Sequence, residues 1–180
     1  LQRVYDKLQV HCRAELGGGP VELARILGVV EWISIGAIPA AVPHTRSVPV
    51  LGTAAWPGLL RGDVTPGPEG TLKVPAACLS VLDMAIARAG IAAIGYYAQV
   101  PHYIASMTYP AASAALLDGL REATGLVVDA ATLRSDVMIQ GRRLDSLVAA
   151  NDEPQTMIRQ LEEIYDSAAE ADHPLDLRAG

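Results

Sequence analysis

His44 and His102 follow the same dipeptide. Each comes directly after a Val-Pro pair, in Val42-Pro43-His44-Thr45-Arg46 and in Val100-Pro101-His102-Tyr103. Histidine donates, accepts and titrates near neutral pH. Arg46 can fork two parallel hydrogen bonds onto a carboxylate or phosphate. A third pair, Val74-Pro75, opens a helix, whose free N–H groups at Ala77 and Cys78 could add to an anion site. Together these features mark a candidate ligand-binding pocket for a small anion, built from His44, Thr45, Arg46, His102 and Tyr103. A structural reading competes with it. A histidine after a strand often bonds a loop carbonyl, and Arg46 could form a salt bridge to Asp63 or Asp83.

No catalytic role follows from these residues. The chain has no Gly-x-Ser-x-Gly elbow, no Walker phosphate loop and no Gly-x-Gly-x-x-Gly. Gly17-Gly18-Gly19 follows a helix rather than a strand and reads as a plain break. Two histidines fall short of the three or four ligands a metal needs, unless Asp63 or Glu69 completes the set. The expectation is no metal and no cofactor. Arg159, Glu162, Glu163 and Asp166 read as a solvated helix face.

The elements that would hold the two motifs follow from pattern. Val29 to Gly36 and Ile91 to Val100 are short, apolar and β-branched, as buried strands are. Val48 to Thr53, Thr71 to Val74 and Leu126 to Val128 are shorter strand candidates. Helices are expected over Leu1 to Leu16, Val21 to Leu27 and Pro75 to Ala89, and again over Ala111 to Ala123. Gly28 and Gly90 stop two of them. Pro57 to Gly70 is a loop. From Ala131 the chain is helical, with Leu133, Val137, Gly141, Leu144 and Val148 on one face. Asn151 to Pro154 stops and restarts the helix, and Ile158, Leu161, Ile164 and Tyr165 line the next one.

Alternating strands and helices indicate parallel βαβ units. In such a sheet the strand carboxyl ends share one edge, where open α/β sheets bind ligands. Ile33 and Ile94 are expected on neighbouring parallel strands, under the helix from Pro75. The domain expectation is an α/β body over 1–130, a helical hairpin over 131–167 and a frayed tail over 168–180. The strands are few for the helices, so further N-terminal strands are expected before Leu1.

The 180 residues are 51% hydrophobic and 19% charged, with net charge −6. That argues against disorder and against nucleic acid, whose binding rests on neutralising phosphates. The positive mean hydropathy suggests apolar surface covered by a partner, either a second copy or another protein. Cys12 and Cys78 form no disulfide framework and read as two buried thiols. The long uncharged stretch from Ala89 to Leu117 is broken by Pro101, His102 and Pro110, so no membrane span is expected. The expected setting is cytoplasmic.

Three segments carry a family resemblance. Ser34-Ile35-Gly36-Ala37-Ile38-Pro39-Ala40-Ala41-Val42-Pro43-His44-Thr45-Arg46 resembles a signature of the bacterial branch of the proteasome assembly chaperone family. Ala98-Gln99-Val100-Pro101-His102-Tyr103-Ile104 is similar to its second signature. Ile158 to Asp166 is similar to its terminal helix. The resemblance runs from about Gly28 to Asp166. It implies a three-layer α/β/α sandwich of the phosphorylase/hydrolase-like type with a mainly parallel sheet, a small C-terminal helical piece and further N-terminal strands. It also implies a chaperone-like protein that works through protein binding or oligomer formation. The alternative is an enzyme acting on a small anionic substrate at the carboxyl edge of the sheet. The chain departs from the family at Lys73-Val74-Pro75-Ala76-Ala77, where many relatives have Gly-Pro-x-Gly. Leu1 to Pro20 does not align, and phenylalanine is absent.

Overall fold

The computed structural model describes residues 19–62, 64–66 and 78–171. The expectations for Leu1 to Leu16, Cys12, Asp63, Glu69 and the strand Thr71 to Val74 lie outside the described residues, as does the Val74-Pro75 turn. The described elements are α1 (Gly19–Ile26), β1 (Glu31–Ala40), β2 (Val50–Ala54), β3 (Thr65–Pro66) and α2 (Cys78–Arg88). They continue with β4 (Ala92–Pro101), a 3-10 turn (His102–Ile104), α3 (Pro110–Thr124), α4 (Ala131–Ala149) and α5 (Asp152–Ala171).

Two glycines end helices as expected. Gly28 has φ 65°, its N–H reaches the Arg25 carbonyl at 3.1 Å, and the Val29 N–H reaches that of Ala24 at 2.9 Å. Gly90 repeats the arrangement with Ala87 and Ile86. Both are left-handed caps that satisfy orphan carbonyls in the last turn.

The sheet has the order β1-β4-β2-β3. Ile33 and Ile94 therefore lie on neighbouring strands. Gly36 lies against Tyr97 and the Ala40 carbonyl is near His102, so β1 and β4 run the same way. β2 runs against β4. The Ala55 N–H donates to the Ala93 carbonyl and the Gln99 N–H to that of Pro49, so the pairing falls on one strand as it rises on the other. β2 and β3 pair in parallel. The sheet is mixed, not mainly parallel. Only nine residues join β1 to β2, and a parallel crossover needs a dozen or more, usually a helix.

Other expectations change as well. Leu126 to Val128 is coil, while Thr65–Pro66 is a two-residue strand inside the expected loop. Residues 168–171 belong to α5 rather than to a frayed tail. Cys78, the first residue of α2, is exposed. Ile164 is exposed too.

The chain falls into two compact units. The first comprises Leu1–Gly36, Val50–Tyr97 and Asp118–Leu126. Its core joins Ala24 of α1 and Ile86 of α2 to Ile91 and Ala93, with Trp32 and Leu82 packed alongside. Strand residues alternate faces. So α2 covers the face of Trp32 and Ala93, not the face of Ile33 and Ile94. On the covered face the Asp83 carboxylate accepts from Trp32 Nε1 at 3.0 Å, from Ser34 Oγ, and from Tyr97 Oη at 3.3 Å. Burial first, and then the Asp83 charge, raise the Tyr97 pKa above the usual phenol value.

The second unit comprises Ala37–Pro49, Ala98–Leu117 and Val127–Gly180. Its core joins Ala98 and Val100 of β4 to Ile104, Tyr109, Ala112 of α3 and Leu144 of α4. On α4 the expected stripe of Leu133, Val137, Gly141, Leu144 and Val148 is the shielded one. Only Ala150 and Asn151 separate α4 from Asp152, and the two helices pack together as a hairpin. Among the described residues no helix is long and apolar enough to cross a membrane.

Candidate functional site

The five candidate residues all stand in the second unit, just beyond the carboxyl ends of β1 and β4. Proline fixes the exit of each motif, since it lacks the N–H that would continue a ladder. The Tyr103 ring stands edge-on to both histidines. Its centroid lies 5.9 Å from His44 and 5.4 Å from His102.

His44 is an interior group, with its side chain 2% exposed. Its backbone N–H donates to Tyr103 Oη at 2.8 Å, and its Nδ1 lies 2.8 Å from the same oxygen. The phenol has one proton and already accepts from the backbone. In its contact with Nδ1 either atom can be the donor, according to the imidazole tautomer. Asp145 Oδ1 of α4 is 3.4 Å from Nε2, but without hydrogen-bond geometry, so this buried nitrogen is left without a hydrogen bond. Burial pushes the Tyr103 pKa up to about 12, against the lowering effect of the His44 backbone bond. At neutral pH Tyr103 is thus a neutral phenol that holds a loop, not a phenolate nucleophile.

Arg46 is fully engaged. Its Nε and Nη2 reach Asp166 Oδ1 and Oδ2 at 2.9 and 2.8 Å, and its Nη1 reaches Glu162 Oε1 at 3.0 Å. Thr45 Oγ1 donates to the same Glu162 oxygen. The Tyr165 hydroxyl donates to the Ser47 carbonyl at 3.1 Å and accepts from Ser47 Oγ at 2.9 Å. The 44–47 loop is thus strapped to α5. The Asp166 pKa is held below the usual carboxylate value by its bonds to Arg46, and that of Arg46 is raised in turn.

The partners of Arg46 are therefore Glu162 and Asp166, not Asp83, which is committed to Trp32, Ser34 and Tyr97. Glu162 and Asp166 do not belong to a purely solvated face. Their spacing carried a signal: two carboxylates at i and i+4 repel on a lone helix, and a cation between them removes the cost. His102 is exposed, and its Nδ1 lies a long 3.4 Å from the Ala40 carbonyl.

The second unit also holds an open, mostly apolar groove of about 240 Å³. None of the five candidates lines it. Its walls come from residues 37–39 of β1, Val100 of β4, Ala105 and Met107, and one side of α3. Sequence reading missed it because its lining is apolar and scattered. Among the described residues no group of three His, Cys, Asp or Glu could hold a metal.

The model of the PAC2 family matches residues 12–148. No protein of curated function matches the sequence. A Corynebacterium glutamicum protein of unknown function is similar in structure, with TM-score 0.82 and 27% identity over 89% of this chain and 59% of its own. A Mycobacterium tuberculosis protein of unknown function has TM-score 0.81 and 29% identity over 88% of this chain and 53% of its own. A proteasome-assembly chaperone homologue from the same organism has TM-score 0.70 and 26% identity, covering 79% and 60%. The chain thus spans less than two thirds of the length of these relatives.

Proposed function

The chain belongs to the PAC2 family, and on that premise we propose that it acts by binding protein, as a chaperone-like assembly factor. The observation that carries this reading is the outer surface of α1 and the turn after it. Leu23, Ile26, Leu27 and Val30 are 55%, 72%, 69% and 85% exposed. Four large apolar side chains within eight residues of sequence fit a covered surface better than a solvated one. The homology of one structural relative to proteasome-assembly chaperones supports a protein partner. A second copy of the chain is the other candidate partner.

A mixed sheet whose strands pack against helices within each unit supports a three-layer sandwich of the phosphorylase/hydrolase-like kind. The packing of α4 on α5 supports an appended hairpin over 131–167. The absence of a disulfide framework supports a cytoplasmic setting. The strand-end residues His44, Thr45 and Arg46, with Tyr103 behind them, are proposed as the anchor of that hairpin, while His102 stands exposed beside Tyr103. The alternative role, gripping a small anion, would need Arg46 released from two carboxylates first.

The test is size-exclusion chromatography with light scattering, on the chain alone and mixed with purified proteasome subunits. Co-elution or self-association is expected, and either should be lost in an Ile26→Glu/Leu27→Glu variant that keeps its circular dichroism. A wild-type chain that stays monomeric and binds no subunit would remove the proposal.

A further inference from the structure

His44 leaves one ring nitrogen unused. Its side chain is 2% exposed, and its buried Nε2 has no hydrogen bond among the described residues. Native structures keep few such atoms, because leaving one unpaired is costly. Asp145 Oδ1 of α4 stands 3.4 Å from this nitrogen, outside hydrogen-bond geometry. A charge-assisted bond needs it only about half an ångström nearer. The Asp145 side chain is 63% exposed, so it also joins the interior nitrogen to solvent.

The surrounding charges come from every element packed on the loop. On the loop itself, Arg46 is engaged by Glu162 and Asp166 of α5. The 3-10 turn sets the Tyr103 phenol on Nδ1, with His102 against the same ring and Tyr109 beyond it. On α5, Tyr165 is taken up by Ser47. On α4, Arg142 bonds the Met138 carbonyl of its own helix, a turn before Asp145. Three carboxylates, of Asp145, Glu162 and Asp166, thus stand against the one guanidinium of Arg46. That field favours a positive imidazole, against its burial.

One proton changes the bonding pattern. A neutral imidazole has one N–H, and an imidazolium has two. The Tyr103 oxygen has the two lone pairs needed to accept from the His44 backbone and from Nδ1 together. The second N–H, on Nε2, then has the Asp145 carboxylate as its acceptor.

We propose that His44 is a proton-operated latch, whose protonation ties the loop after β1 to α4 through an Nε2–H···Oδ1 bond to Asp145. The hairpin then has two fastenings that respond oppositely to acid. The latch closes as pH falls through the range in which imidazoles take up a proton. The fork of Arg46 on Asp166 opens only below the ordinary carboxylate range. The latch rests on the reading of these residues as the hairpin anchor, and the surface of α1 takes no part.

Hydrogen exchange of the intact chain tests it, in the wild type, Asp145→Ala and Arg46→Ala, at about pH 8 and about pH 5.5. Variants are compared at one pH, which cancels the intrinsic pH dependence of exchange. Protection of residues 141–148 in the wild type relative to Asp145→Ala should rise at least about threefold from the higher to the lower pH. Imidazole spectra should show a second N–H on His44 at the lower pH, the assignment coming from the signal lost in His44→Gln. A constant ratio overturns the latch, and so does a His44 ring that keeps one N–H throughout. If Arg46→Ala still loosens residues 158–166 at both pH values, the anchor stands and only the latch falls. If neither substitution changes exchange at either pH, both fall.

Discussion

Arg46 and Asp166 meet side by side, Nε on Oδ1 at 2.9 Å and Nη2 on Oδ2 at 2.8 Å, across 120 residues of sequence. A fork of this kind fixes direction as well as distance. It is the main polar fastening between the loop after β1 and α5, with Glu162 as its second post. Because both ends of the fork are occupied, Arg46 in this state has no free face for a ligand.

Arg46→Ala should therefore loosen α5. Hydrogen exchange should quicken around residues 158–166, with a small fall in melting temperature that shrinks further at high salt, since an exposed pair is screened. The pH dependence has a defined sign. The Asp166 pKa is depressed in the folded state, so its contribution is present above the ordinary carboxylate pKa of about 3.9. It is lost as pH falls through the lower, folded value. Acid should thus release α5 in the wild type and change little in Arg46→Ala.

Tyr103→Phe removes one hydroxyl that serves two groups of His44. The buried imidazole and the backbone N–H both lose their partner. A cost of about 1–3 kcal/mol in urea unfolding is expected. The folded pKa of Tyr103 is raised to about 12. Its stabilising effect is therefore full below the unfolded phenol value of about 10 and is lost as pH rises through about 12. The difference between wild type and Tyr103→Phe should narrow over that alkaline range.

Gly95→Ala and Gly119→Ala should move stability in opposite directions. A Cβ on Gly95 would lie 2.6 Å from Thr53 Oγ1 and 2.7 Å from the Tyr97 ring, which is pinned towards Asp83. Overpacking of this kind costs about 1–3 kcal/mol. Gly119 lies within α3 with nothing inside 4 Å of its would-be Cβ. There alanine should add up to about 1 kcal/mol through helix propensity and a less free unfolded chain. Paired thermal melts check both signs.

Ile94→Asn should unfold the domain. Ile94 is 1% exposed on β4, a strand flanked on both sides by others. The substitution gives up about 1.5–3 kcal/mol of burial and strands an amide in an apolar site. Loss of near-ultraviolet circular dichroism at room temperature is the expected result. A variant that melts within a few degrees of wild type would contradict this placement.

The sequence alone determined the local elements and the family. β-branched runs marked β1 and β4, Gly28 and Gly90 marked two helix ends, and the three- and four-residue spacing marked the shielded face of α4. These are legible because each depends on residues within a few positions of one another. The Val-Pro-His pair was also legible as two neighbouring strand exits. Tertiary structure decided strand direction and what the exits do. The short link from β1 to β2 left no room for a parallel crossover, so the sheet is mixed. Arg46 found its carboxylates on α5, and Asp83 was taken by Trp32, Ser34 and Tyr97. No local pattern encodes such choices, because a charged side chain takes whichever partner the fold brings within about 3 Å. The open groove beside α3 was decided in the same way. It is the space that side chains from three elements leave unfilled, and only their packing gives it a size and an uncharged wall.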